Sequence, residues 1–403
     1  MTDTTPGITR AQAWREILAV FLKLGWTSFG GPIAHIGYYR QELVVRRRWL
    51  DEAGYADLVA LCQFLPGPGS SQIGFALGLL RGGLVGALIA WTAFTMPSAM
   101  LLVAFAYSAE AFAGPLGQAL IHGLKLVAVA VVAQAVWGMA RTLCPDRRRA
   151  AIALGAVLLL VFVPSAWSQV AVIAGGALAG LALCRGAVTP AVGRLRFGVG
   201  RVWALAALAL FGVLLFGLPL AVAVSRDPGL TLFEVFYRTG ALVFGGGHVV
   251  LPLLEARLVA PGWLGADAFL AGYGAAQAIP GPLFTFSAYL GAVVEIGTSP
   301  LAGALICLIA IFLPGMLLLL GALPFWDGLR CRPSAQAAMA GANAAVVGLL
   351  GAALYDPVWT SAVLAPSDFA LALAAFLLLT VWNVAPWLVV AATAVGAVAV
   401  SLV

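Results

Sequence analysis

Gln63, Pro66, Gly67 and Pro68, followed by Gly69, Ser70, Ser71 and Gln72, interrupt an apolar stretch with residues that break helices and donate hydrogen bonds. Proline lacks an amide and glycine favours irregular backbone, so helical hydrogen bonds are lost where lipid supplies no substitute. Such a break persists only inside protein or beside a polar cavity. The pattern returns as Gln277, Pro280, Gly281 and Pro282 at an offset of 214 residues (66 to 280), with Thr285 and Ser287 behind it. A second pair of breaks, Phe29-Gly30-Gly31-Pro32 and Phe244-Gly245-Gly246-Gly247, is offset by 215 (29 to 244). A half-helix starting after Pro32, Pro68, Gly247 or Pro282 presents unpaired amides and a positive dipole end, which suits an oxyanion without any charged side chain. Glycines let a ligand approach the backbone, and the hydroxyls and Gln72 add donors. The plainer alternative is packing glycines and proline kinks, which membrane helices also use. Recurrence in two copies favours the binding reading.

Ionisable residues inside apolar segments are the second signal, because each costs about 2.5 to 3.5 kcal/mol at a helix centre. Lys23 and His35 flank the first break, and His248 follows the second copy's glycine run. A cation there would raise anion affinity, and a histidine could couple binding to protons. Snorkelling of the lysine and a structural hydrogen bond for each histidine are the competing roles. Asp57, His122 and Lys125 also fall in or near spans. Arg40 with Glu42, and Glu255 with Arg257, occupy corresponding loop-proximal places and read either as interface ion pairs or as gating and coupling pairs. Three dispersed histidines and five cysteines without a CxxC give no metal motif and no disulfide framework. No GxxxxGK[ST] occurs, so neither ATP nor another cofactor is expected.

These residues must be held by membrane helices. The chain is 63% hydrophobic and 9% charged, against about 25% charged in soluble domains, and many apolar windows reach spanning length. The formal charge of +6 comes from arginines clustered in short loops, which argues for topology and membrane lipids rather than nucleic acid. The fold class expected is an all-α polytopic membrane protein. Two inverted-topology repeats with broken or re-entrant helices are joined by a three-span linker. The expected division is 1–145 for the first repeat, 146–230 for the linker, 231–356 for the second repeat and 357–403 for two terminal spans. Further correspondences support the duplication: Trp49 with Trp263, and Pro97 with Pro314. Copy one carries Arg40 and Arg46 to Arg48 after its first break and no Lys or Arg over 109–117. Copy two has only Arg257 in the former place but Arg330 and Arg332 in the latter. That reversed bias predicts opposite orientations across the membrane.

Taken together, Phe29-Gly30-Gly31-Pro32, Trp49 and Gln63-x-x-Pro66-Gly67-Pro68, repeated as Phe244-Gly245-Gly246-Gly247-His248 and Gln277-x-x-Pro280-Gly281-Pro282, resemble the chromate transporter (CHR) family in its long, two-domain form. The resemblance covers residues 15–143 and 233–355. It implies a multi-pass protein of the bacterial inner membrane that exports chromate from the cytoplasm and confers chromate resistance, with sulfate as the close analogue. Secondary transport, driven by membrane potential or coupled to protons, is the matching mechanism. The alternatives are a transporter or channel for sulfate or another oxyanion, and a membrane enzyme, which the isolated Asp57 disfavours. A homodimer is compatible with the sequence, which does not fix the oligomeric state.

Overall fold

The computed structural model describes residues 9–108, 114–163, 168–184, 197–244, 247–329 and 332–402, and among these every regular element is a helix. Gly245, Gly246 and Arg330, named above, lie outside the described residues.

Thr9 starts α1 (Arg10–Thr27) through a capping box with Gln12. At its end Gly30 (φ 97°) and Gly31 (φ 74°) take left-handed backbone that glycine adopts without steric cost. The chain reverses into α2 (Gly31–Tyr39) and a π-helical turn over Arg40–Arg46. Arg47 Nη1 then reaches Glu16 near the start of α1 at 2.9 Å, and Trp49 Nε1 donates to the same carboxylate at 3.3 Å. The first two helices are therefore arms of a hairpin whose tip is the Phe29-Gly30-Gly31 break.

A second hairpin follows. Asp51 caps α3 (Glu52–Phe64) by accepting from the Gly54 amide at 2.9 Å. Gly67 (φ 119°) turns the chain into α4 (Gly69–Tyr107). The first arm of α4 climbs back to Glu16, where Arg81 Nη2 meets it at 2.9 Å and Trp14 Nε1 donates to the Gly82 carbonyl at 3.0 Å. Gly83 (φ 66°, ψ −162°) breaks α4 there, and its second arm doubles back against the first. The two arms are so close that a Cβ on Gly78 would lie 2.7 Å from the Ala90 Cβ.

α5 (Pro115–Leu143) crosses next, and α6 (Arg147–Phe162) and α7 (Ser168–Leu183) form a plain hairpin. α8 (Arg201–Ser225) is a single helix whose Val202, Trp203, Phe216 and Val224 are each more than 70% exposed, a surface suited to lipid rather than water.

The second copy rebuilds the first from different residues. α9 (Pro228–Leu242) leads through Phe244 to a 3-10 turn at Gly247–Val249 and α10 (Val250–Leu258). Arg257 Nη2 meets Glu234 Oε2 at 3.0 Å and closes this hairpin as Arg47 and Glu16 close the first. α11 (Ala266–Ala278) runs to Gly281 (φ 104°) and a 3-10 turn at Leu283–Thr285, then α12 (Phe286–Val293). Gly297 (φ 91°), 214 residues after Gly83, turns the chain into α13 (Pro300–Ala322). α14 (Trp326–Leu329), α15 (Pro333–Ala353), α16 (Thr360–Ala362), α17 (Pro366–Thr380) and α18 (Pro386–Ser401) complete the chain.

The packing is crossed between copies. α1 lies on α4 as α9 lies on α13, but α6 and α7 pack on α15 whereas α17 and α18 pack on α5. Small residues allow these approaches: a Cβ on Gly180 would sit 2.8 Å from Gly341 Cα. Gly69–Tyr107, Pro115–Leu143, Arg201–Ser225, Pro300–Phe325 and Pro333–Ala362 are long and apolar enough to cross a membrane. The chain is an all-α polytopic membrane protein.

Candidate functional site

Four hairpin tips meet inside the molecule, and each copy's Pro-Gly-Pro tip bonds to the other copy's Phe-Gly-Gly tip. The Gly67 amide donates to the Val243 carbonyl at 2.7 Å, and the Gly281 amide donates to the Ser28 carbonyl at 2.9 Å. Ser28 and Val243 each stand immediately before a Phe-Gly-Gly run. Each Pro-Gly-Pro tip also abuts the proline-bearing span of the other copy. A Cβ on Gly67 would lie 2.9 Å from Gly315 Cα, and one on Gly281 would lie 3.0 Å from Ser98 Cβ. Ser98 follows Pro97 and Gly315 follows Pro314, so these are corresponding neighbours.

Side chains fasten the same contacts. Gln72 Nε2 donates to the carbonyls of Pro66 at 3.1 Å and Gly315 at 2.8 Å. The hydroxyls of Ser98 and Thr285 bond across the copies. His35 is buried with Nε2 3.2 Å from the Ser28 carbonyl and Nδ1 3.4 Å from Ser70 Oγ, its ring edge-on to Phe94. A carbonyl only accepts, so Nε2 carries the proton and Nδ1 faces the Ser70 hydroxyl as acceptor in the neutral ring. His248 Nδ1 is 2.6 Å from the Tyr273 hydroxyl. Gly247 lies against Pro32, which brings the two Phe-Gly-Gly tips together.

Several polar atoms here are buried without a protein partner: Ser28 Oγ, Ser71 Oγ, Gln72 Oε1, Thr95 Oγ1 and Gln277 Nε2. Each such atom costs about 1 to 3 kcal/mol unless something else satisfies it. The buried carboxylates are engaged elsewhere: Asp57 accepts from Trp326 Nε1 at 3.1 Å, Glu234 holds arginines, and Asp368 holds His122. Among the described residues, hydroxyls, backbone amides, side-chain amides and the imidazoles of His35 and His248 make up the polar lining of the tips.

Most sequence-flagged residues gather at this junction: Phe29, Gly30, Gly31, His35, Pro66 to Gln72, Phe244, His248, and Gln277 to Thr285. Gln63 is exposed at the end of α3, and Lys23 faces outward from α1. The charged pairs are rearranged. Arg40 binds Glu52 through two bonds of 2.7 and 2.9 Å rather than Glu42, whose partners are Arg46 and Arg47. Arg257 turns from Glu255 to Glu234, which also takes Arg238 at 2.8 Å. Two residues apart on α10, Glu255 and Arg257 point to different sides of the helix, and Glu234 stands opposite Arg257 on the other arm of the hairpin. Lys125 pairs with Asp267 at 2.7 Å, away from the tips. Ser28, Thr95, Ser98 and Gly315 were not singled out in the sequence. The paired prolines before Ser98 and Gly315 are the signal that could have found the last two.

Comparison with known proteins agrees with this architecture. The chromate transporter family profile matches residues 15–181 and again 230–398, so each match takes in the helical hairpin that follows a copy. A chromate transport protein of Pseudomonas aeruginosa is 28% identical over 369 residues, 90% of this chain and 86% of that protein. A probable chromate transport protein of Synechococcus elongatus is 26% identical over 88% of this chain and 86% of its own length. A chromate transport protein of Cupriavidus metallidurans is 28% identical over 84% of this chain and 81% of its own. No solved structure matches the chain. With two matched regions that together cover most of its length, the chain belongs to the chromate transporter family.

Proposed function

We propose that this protein exports a tetrahedral dianion, chromate in the first instance with sulfate as its analogue, from the cytoplasm across the inner membrane. The reading is carried by the reciprocal tip junction, where Gly67 bonds Val243 and Gly281 bonds Ser28 beside buried donors that have no protein partner. Exposed amides at broken helices and neutral hydroxyls replace the hydration of an oxyanion without a fixed counter-charge that would hold it too tightly. Gly67, Gly281 and their flanking residues act as the backbone cradle; Ser71, with Ser28, Thr95 and Gln277, supplies donors free of protein partners. Ser70, Gln72 and Thr285, whose protons are held by His35 and by the carbonyls of Pro66, Gly315 and Pro282, keep the tips in shape together with His35 and His248. The two repeats lie inverted about the junction, and alternating access follows from rocking the paired hairpins around it. The membrane potential supplies the drive, since moving each negative charge outward gains about 2.3 kcal/mol per 100 mV.

Uptake of labelled chromate, sulfate, molybdate and phosphate into inverted vesicles tests this under an imposed potential, with and without a pH gradient. Saturable, potential-dependent uptake with counterflow is expected. Uptake that never saturates would indicate a channel, and no uptake of any tetrahedral oxyanion would sink the proposal.

A further inference from the structure

Away from the tips, α5, α17 and α18 form an open groove of about 380 Å3 lined by Pro115, Gln118, His122, Asp368, Val400 and Ser401. It lies at the start of α5, the end opposite Arg141 and the basic run that opens α6. His122 Nε2 is 2.8 Å from Asp368 Oδ1, and Asp368 Oδ2 accepts from the amides of Leu364 and Ala365 at 3.0 Å each. One carboxylate thus caps the start of α17 and ties it to α5. Next to His122, Gly123 lets α18 approach so closely that a Cβ there would lie 2.7 Å from Ala394 Cα. At its other end α18 carries Trp387, whose ring centroid is 6.3 Å from that of Phe29 at the first tip. The same rigid helix therefore touches the tip junction and the His122–Asp368 pair.

We propose that His122 and Asp368 form a proton-binding site that sets how firmly the α17–α18 hairpin is held on α5, and through Trp387 and Phe29 regulates movement of the first tip. Imidazole is the side chain whose charge changes nearest neutral pH. Protonated His122 makes a charge-assisted bond to Asp368, and neutral His122 donates an ordinary one, so acidification tightens the latch and alkalinisation loosens it. The other charged groups packed on α5 are few. Among the described residues, Asp267 of α11 is held by Lys125 of α5 itself, Tyr273 of α11 meets His248, and Tyr355 and Asp356 stand in the π-helical turn Leu354–Trp359. α15 and α18 carry no ionisable side chain. The effect on flux rests on the transport function proposed above; the proton site does not.

Two measurements on the full-length protein test the site. Hydrogen exchange in lipid nanodiscs, corrected for intrinsic rates, reads the protection of α17 and α18 between about pH 5.5 and about pH 8.5. Protection of the wild type is expected to fall about fivefold to tenfold across that range. His122→Gln, which keeps a donor but cannot titrate, flattens the response, and Asp368→Asn, which keeps a capping oxygen, does the same. A flat wild-type response, or an unchanged one in His122→Gln, overturns the proton site. Sulfate flux into proteoliposomes, at equal pH on both sides and fixed potassium potential, is expected to slow in acid for the wild type only, because sulfate remains a dianion across this range. Flux that is present but indifferent to pH overturns the regulatory role. Flux absent at every pH bears on the transport reading, while the exchange data still decide the proton site.

Discussion

The Gly67 amide donates to the Val243 carbonyl at 2.7 Å, joining the Pro-Gly-Pro tip of one copy to the Phe-Gly-Gly tip of the other. The exchange is mutual, because Gly281 does the same to Ser28. Neither tip completes its own backbone hydrogen bonding, so neither copy is a finished unit by itself. The copies are further joined where α11 packs on α5 and where α12 and α13 pack on α4.

Gly67→Val and Gly281→Val are expected to abolish oxyanion uptake while the chain still inserts. At φ 119° and 104° a β-branched residue is strained by about 1 to 3 kcal/mol, and its Cβ meets Gly315 Cα at 2.9 Å or Ser98 Cβ at 3.0 Å. Uptake in inverted vesicles, normalised to protein found in the membrane fraction, checks this. Full uptake by both variants would show that the tips are structural only.

The two staples across the copies are chemically unequal, which gives a second prediction. Gln72→Leu leaves the buried Gly315 carbonyl and the part-buried Pro66 carbonyl without their donor and should cost about 1 to 3 kcal/mol. In a double-mutant cycle, Ser98→Ala and Thr285→Val should couple by about 0.5 to 1.5 kcal/mol, since their hydroxyls bond each other. Thermal unfolding in detergent reads both. Strict additivity at Ser98 and Thr285 would mean that their contact contributes nothing.

The sequence showed these tips because helix breakers inside apolar runs are costly and therefore conspicuous. Pro66 to Pro68 and Pro280 to Pro282 needed no structure to be found, and the glycine pairs fell within one residue of the same offset. Partner choice was hidden. Arg40 and Glu42 are near in sequence, but the π-helical turn and the reversal at Trp49 bring Glu52 to Arg40 instead. Glu16 collects Arg47 and Arg81 from 31 and 65 residues away, a convergence that only the folded hairpins create. The hairpins formed by α6 with α7 and α17 with α18 read as plain spans, since their role lies in which long helix of the other copy they cover.

Charge pairs of similar appearance are expected to differ in weight. Arg40 and Glu52 are 53% and 56% exposed, so solvent screens their attraction and Arg40→Ala should leave stability close to that of the wild type. The Glu234 side chain is 8% exposed and is shared by the partly buried Arg238 and Arg257, so Glu234→Ala removes charge-assisted hydrogen bonds to two cations at once and should cost about 1 to 3 kcal/mol. Thermal unfolding of the two variants side by side separates them. Equal shifts would count against the closing role assigned to the Arg257–Glu234 contact.

Orientation provides the last prediction. The loop after the first hairpin carries Arg46 to Arg48, while the corresponding loop around Trp263 carries no basic residue between Val259 and Leu264. If the basic loop is cytoplasmic, inverted copies put Trp263 on the other side of the membrane. The hairpin geometry fixes each loop to the base of its own helix pair, through Arg47 and Glu16 in one copy and Arg257 and Glu234 in the other. Single cysteines at Arg48 and Gly262, introduced after removing the five native ones, can be reacted with a membrane-impermeant maleimide. Gly262→Cys should be labelled in intact cells and Arg48→Cys only in inverted vesicles. Labelling of both from one side would place the copies in parallel and overturn the inverted arrangement.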